Sequence, residues 1–271
     1  MIRPLVGTNL KMNLSSSELT WYLRALRTGV AAISHCELFV LPSFPALWVA
    51  RRELEGSGLA WGAQDLHPAE GGAHTGDVSA AMLVDLGCSY VQVGHAERRH
   101  EHGETDQLIA AKVAQALRHG LTPILCVGER TAGASREALR TVIAQLEIAL
   151  VELGNEAARV VVAYEPAWAI GAGAEVAPAD HIAALHDGIH EWLAAAGAAD
   201  APVIYGGSLD EDSAPGIVAL AGVDGLFVGR AALDPARFST IAGIAERLAV
   251  SRHLAGPGRA ASAREPHSAG G

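Results

Sequence analysis

The sequence predicts an α/β chain folded as a single (β/α)8 barrel. Three observations predict it. Eight short β-rich runs recur between residues 5 and 229. Most are continuous apolar runs, as in strands covered on both faces, and not the alternating runs of a half-exposed sheet. Longer helical patterns lie between them, and strand–helix repeated eight times is the pattern of a closed parallel barrel. A doubly wound open sheet would need fewer strands or an added domain.

The strand candidates are, in order, Leu5–Asn9, Glu37–Leu41, Leu59–Gln64, Tyr90–Gly94, Thr122–Val127, Val160–Glu165, Val203–Gly206 and Gly225–Gly229. Between the fourth and fifth, Ile109, Val113, Ala116 and Leu117 form one apolar stripe at helical spacing. Leu139, Val142, Ile143, Leu146, Leu150 and Leu153 form a second stripe, and Ile182, Leu185, Ile189, Trp192 and Leu193 a third. Gly120, Gly154 and Gly197 each follow a stripe, as glycines do at helix C-termini. From residue 251 to 271 the chain turns to Gly, Ala, Ser, Arg and Pro, with Leu254 its only large aliphatic residue. A barrel domain over 1–250 and a disordered tail over 251–271 are expected.

Composition narrows the function. Of 271 residues, 50% are hydrophobic and 18% charged, which suits one large core and excludes wholesale disorder. The net charge of -10 leaves no nucleic-acid footprint. No apolar run reaches the roughly 18 residues of a membrane span, and Met1-Ile2-Arg3-Pro4 lacks a signal-peptide layout. Three cysteines, Cys36, Cys88 and Cys126, include no C-x-x-C pair. A reducing, cytoplasmic setting is expected. Of twenty Lys and Arg residues only two are Lys, Lys11 and Lys112. In so Arg-rich a chain, a retained Lys suggests a need for an ammonium on a thin stem. Lys112 is expected on an ordinary helix surface, which leaves Lys11 as the lysine of interest.

In such a barrel the chemistry sits where strands end and loops begin. Asn9-Leu10-Lys11-Met12-Asn13 follows the first strand and Gly94-His95-Ala96-Glu97-Arg98-Arg99 the fourth. Glu165-Pro166-Ala167-Trp168 follows the sixth, Gly206-Gly207-Ser208 the seventh, and Gly229-Arg230 the eighth. One ammonium, one imidazole, one carboxylate and glycine turns converge on one face. That set suits acid–base chemistry on a small anion.

These motifs resemble the triosephosphate isomerase family. N-x-K-M-N (Asn9–Asn13), Y-V-x-V-G-H-x-E-R-R (Tyr90–Arg99), A-Y-E-P-x-W-A-I-G-x-G (Ala163–Gly173) and Y-G-G-S (Tyr205–Ser208) occur in order. Gly62–Asp65, His74–Ser79 and Cys126–Glu129 resemble three further family segments, so the likeness runs from about residue 5 to 233. It implies a TIM barrel that interconverts dihydroxyacetone phosphate and glyceraldehyde 3-phosphate, a step of glycolysis and gluconeogenesis. No cofactor or metal is implied. Glu165 matches the base, His95 the neutral electrophile and Lys11 the cation beside the enediolate. Asn9 would orient the substrate oxygens, and Glu97 is a supporting carboxylate, pairing with Lys11 or Arg99. Gly171, Ser208, Gly229 and Arg230 match the phosphate contacts. Residues 166–174 resemble the family's lid. Residues 71–78 resemble the loop that reaches into a second subunit, with Thr75 supporting the neighbour's site, which implies a homodimer.

Other candidates read as structural. His181, His186 and His190 are expected on a solvated helix face, and Cys126 as a packed strand residue near the base. Three positions depart from the family pattern. Ala96 stands where the family has Ser, Ala172 where the lid usually has Thr, and Arg230 where a second Gly usually follows the last strand. Gly229-Arg230, with residues 97–106, also resembles a paralogous branch. That branch isomerises L-erythrulose 1-phosphate to D-erythrulose 4-phosphate by the same proton shuttle. A non-catalytic phosphate-binding barrel would predict a damaged triad, and an aldolase would need a lysine on a late strand. Neither fits Lys11, His95 and Glu165.

Overall fold

The computed structural model describes residues 3–171 and 173–255. Eight parallel strands close into a barrel in sequence order: β1 (Leu5–Asn9), β2 (Glu37–Leu41), β3 (Ala60–Ala63), β4 (Tyr90–Val93), β5 (Thr122–Val127), β6 (Val161–Tyr164), β7 (Val203–Tyr205) and β8 (Gly225–Val228). Closure pairs β1 with β8, Leu5 opposite Gly225. All eight expected strands form, several of them a residue or so shorter than their apolar runs. The last residue of such a run leaves the ladder to enter the loop, and Glu165, after β6, is one of these.

Two apolar layers hold the barrel. Leu5, Phe39, Leu41, Tyr90, Ile124, Cys126, Val161, Ala163, Ile204 and Phe227 fill its interior. A β-carbon on Gly7 would overlap the Phe39 ring, so that glycine makes room for the aromatic plug. The larger layer, with Val6, Leu38, Val40, Val162 and Tyr164, lies between the strands and the outer helices. Adjacent residues thus face opposite layers, as strand geometry requires. The inward set continues to the end of β1 and beyond the end of β6. Leu5 and Gly7 are followed by Asn9 on the same rail, and Val161 and Ala163 by Glu165.

The outer helices are α1 (Ser16–Gly29), α2 (Leu47–Leu54), α3 (Ala80–Asp85), α4 (Ala96–Glu101), α5 (Asp106–Arg118), α6 (Ser135–Leu150), α7 (Ala179–Ala195), α8 (Ala214–Ala219) and α9 (Pro235–Ala255). The stripes do as expected: Ile109 and Val113, Val142 and Leu146, and Ile182 and Ile189 are buried. Gly120, Gly154 and Gly197 all have positive φ, the conformation that favours glycine there. The three cysteines are free and buried.

Three expectations need correction. Helix α9 runs through Ala255, so the first five residues of the expected tail are helical. The remainder, 256–271, lies outside the described residues. Lys112 is not on a helix surface. Its side chain is only 4% exposed, and its ammonium donates to Asp65 and Glu104, each at 2.6 Å. Arg98 joins this cluster, reaching Glu104 at 2.6 Å and Asp65 at 2.8 Å. Nor do the α7 histidines form a solvated face: His181 and His186 are buried. His186 Nδ1 and His190 Nε2 both face the Gly222 carbonyl, at 3.1 and 2.9 Å. The partners lie outside the helices themselves, Asp65 and the loop residue Glu104 for Lys112 and the Gly222 carbonyl for His186 and His190, so helical spacing carried no sign of them.

Candidate active site

Lys11 follows β1 with φ of 51°, a left-handed conformation uncommon for a side-chain-bearing residue. Two local contacts hold it there. Its N–H donates to Asn9 Oδ1 at 2.6 Å, and its carbonyl accepts from Gln64 Nε2 at 3.0 Å. The bent backbone turns the ammonium across the barrel mouth to Glu97, 2.5 Å away. Glu97 is therefore the partner of Lys11. Arg99, the other candidate, pairs with Asp106.

His95 caps α4, with Nδ1 accepting the Glu97 N–H at 3.2 Å. An accepting Nδ1 leaves the ring proton on Nε2, which faces the barrel axis. Burial first, then the Lys11 charge, lowers the His95 pKa to about 4. The imidazole is thus neutral across the physiological range. Its Nε2 stands 3.7 Å from Glu165 Oε2.

Glu165 is buried, and burial raises its pKa to about 8 against a smaller lowering by the Cys126 thiol and Lys11. Its Oε2 has no hydrogen-bond partner among the described residues. Ala96 supplies no hydroxyl, and a small void of about 10 Å³ lies among Ala96, Arg99, Cys126 and Glu165. Two glycines wall the base in. A β-carbon on Gly206 would lie 2.6 Å from Glu165 Cγ and 2.8 Å from Oε1, and one on Gly128 would overlap the Glu165 carbonyl. An orphaned, desolvated carboxylate beside a protonated Nε2 is equipped to take a proton from carbon.

A polar thread runs behind these groups. Asn9 Nδ2 donates to Gln92 Oε1 at 2.5 Å, and Gln92 Nε2 donates to Cys126 Sγ at 3.1 Å. Gln92 is fully buried in β4 and went unnoticed in the sequence, although a lone amide inside Y-V-Q-V was a readable signal. Cys126 is a packed strand residue whose thiol is held well above its ordinary pKa, chiefly by burial.

Beside Asn9 and Lys11 opens a cleft of about 500 Å³, lined also by Gly171, Gly206, Gly207, Ser208, Gly229 and Arg230. Glu165 backs onto it behind Gly206. The cleft's hydrogen bonds are partly taken up internally: Ser208 N–H donates to the Ala169 carbonyl at 2.8 Å. The Arg230 guanidinium spans the opening and donates to the Gly171 carbonyl. Ala172, the departure within the 166–174 segment, lies outside the described residues.

The structure thus brings Lys11, His95, Glu165, Asn9 and Glu97 together, with Gly171, Ser208, Gly229 and Arg230 along one adjoining wall. Thr75 stands elsewhere, on the exposed 71–78 segment.

The family model for triosephosphate isomerase matches residues 4–245. The chain belongs to the triosephosphate isomerase family. A triosephosphate isomerase from Coxiella burnetii is 41% identical over 245 residues, covering 88% of this chain and 96% of that protein. An L-erythrulose-1-phosphate isomerase from Pectobacterium atrosepticum is 42% identical over 246 residues, covering 87% and 93%. Among solved structures, the triosephosphate isomerase of Bartonella henselae superposes with a TM-score of 0.80 at 32% identity, covering 90% of this chain and 99% of that one. The chain is therefore an isomerase of the triosephosphate isomerase family, whose substrates are small phosphorylated sugars. Relatives with two different named substrates match it about equally well.

Proposed function

We propose that this chain interconverts dihydroxyacetone phosphate and glyceraldehyde 3-phosphate through an enediolate. The observation that carries the reading is the Lys11–Glu97–His95–Glu165 chain of contacts at the mouth of the barrel. Glu165 removes a proton from the carbon beside the carbonyl, and the C–H electron pair becomes the enediolate double bond. Negative charge then grows on oxygen, where the His95 Nε2–H and the Lys11 ammonium face it. Glu165 returns the proton to the neighbouring carbon. Asn9 orients the oxygens. The phosphate occupies the cleft wall formed by Gly171, Ser208, Gly229 and Arg230, where glycine backbone can approach a dianion closely. Residues 166–174 close over it as a lid and keep water from the enediolate.

A second reading is favoured by Arg230. Its guanidinium lines the cleft, where it suits bidentate anion contact, and Gly229-Arg230 is the pair that resembles the four-carbon branch. The four-carbon isomerisation of L-erythrulose 1-phosphate uses the same shuttle. Assaying the purified chain with both substrates separates the two. A kcat/KM for glyceraldehyde 3-phosphate at least tenfold above that for the erythrulose phosphate supports the first reading, and the reverse ratio overturns it.

A homodimer through residues 71–78 accompanies this function. Its support is a pair of exposed apolar side chains, Met12 beside Lys11 at 96% exposure and Met82 close after the segment at 56%. Free, buried thiols fit a cytoplasmic location. Among the described residues, no helix is long and apolar enough to cross a membrane.

A further inference from the structure

Glu129 is a buried carboxylate outside the proton shuttle, in the loop after β5. It grips the segment that follows the base at two points. Its carbonyl accepts the Ala167 N–H at 2.9 Å, and its Oε1 accepts the Trp168 indole N–H at 2.6 Å. Ala167 and Trp168 lie two and three residues beyond Glu165, in a 3-10 turn over Ala167–Ala169. Wherever Glu129 sits, that turn must follow, and the base with it.

His181, at the start of α7, joins Tyr164 in holding Glu129. His181 Nε2 lies 3.0 Å from the Tyr164 hydroxyl and 3.4 Å from Glu129 Oε1. The Tyr164 hydroxyl itself donates to both Glu129 oxygens, at 3.2 Å each. A hydroxyl has one proton, so its oxygen must accept from His181, which fixes the histidine proton on Nε2. Nδ1 faces Ser135 Oγ at 2.9 Å, and a hydroxyl there can donate or accept. The ring edge also packs against Trp168, with centroids 5.8 Å apart. Three elements thus meet on one buried carboxylate, and the two side chains from α7 and β6 fix its orientation for the third.

We propose that His181 is a positioning residue for Glu165, acting through the Glu129 carboxylate on the Trp168 turn. The kinetic part of this inference rests on the isomerase reading above, whereas the structural part does not.

Two substitutions separate the roles of the ring nitrogens. H181N keeps a polar atom near Ser135 but cannot reach Glu129 or Tyr164; H181Q places an N–H where Nε2 stood. The Trp168 indole peak, assigned in a 15N correlation spectrum by its loss in W168F, reads the link directly. Expected in H181N are an upfield shift of that indole proton and a kcat down roughly tenfold with KM within about twofold, because a small misplacement of the base slows chemistry more than binding. H181Q restores the peak and brings kcat back to within about threefold. An unmoved Trp168 peak in H181N, or an unmoved kcat, overturns the proposal. Should H181N not fold, long-range 15N correlations of the His181 ring in the unmodified chain decide: protonated Nε2 is expected, and a bare Nε2 overturns it. If the unmodified chain turns over neither sugar phosphate, the isomerase reading fails, and the indole peak still tests the His181–Glu129–Trp168 link.

Discussion

At the residue scale, the proposed base is unusual for what it lacks. Glu165 has a buried oxygen with no partner, and Ala96 stands beside the void where a hydroxyl could supply one. With its pKa raised by burial to about 8, Glu165 is protonated, and idle as a base, at lower pH. His95, neutral above about 4, does not limit there. The expected profile of kcat/KM therefore rises with pH toward about 8. Ala96→Ser offers a hydrogen bond to the charged form, so it moves this acid limb to lower pH by up to about one unit. Initial rates from pH 5 to 10 for both forms check the sign. Gly206→Ala tests the wall behind the base. Its methyl would press on the Glu165 carboxyl group, so kcat is expected to fall roughly 100-fold, with the fold retained. Steady-state kinetics with circular dichroism reads both.

Elements explain which site residues could be found without coordinates. A continuous apolar run marks a barrel strand, and the residues at its end face the loops, so Asn9 and Glu165 stood out at the ends of the first and sixth runs, with their roles coming from the family resemblance. Lys11 and His95 stood out at the ends of the first and fourth runs. Gln92 was missed, and Lys112 and His181 were placed on helix surfaces, because most of their partners come from other elements: Asn9 and Cys126 for Gln92, Asp65 for Lys112, Glu129 and Tyr164 for His181. Asp65 and Glu104 come from different loops, and only the folded chain brings them to Lys112. That buried cluster, seated between α5 and the loops after β3 and α4, carries a prediction of its own. Lys112→Met leaves two buried carboxylates without their ammonium, and the expected loss of stability is about 3–5 kcal/mol. Urea unfolding followed by circular dichroism measures it. Asp65, whose carboxyl is already pushed up by burial, is the group expected to take up a proton.

For the whole molecule, the sequence showed a closed strand–helix cycle but gave no direct view of its surface. Met12 lies next to Lys11, and a side chain that apolar and that exposed invites cover. Sedimentation is expected to find a dimer. Thr75→Arg, on the 71–78 segment, is expected to give monomers with kcat roughly tenfold lower or worse, since in the proposed dimer Thr75 supports the neighbour's site. A monomeric parent chain with full turnover would contradict this. The burial of Cys36, Cys88 and Cys126 has a practical side. Burial pushes the first two thiols up to about 12 and the third well above its ordinary value, so none offers a thiolate to a maleimide at neutral pH. The native chain is therefore already a silent background for dye attachment. One cysteine introduced away from the 71–78 segment, for example at the exposed Arg140 of α6, would take a fluorophore cleanly, with no need to strip the barrel of its own sulfur first.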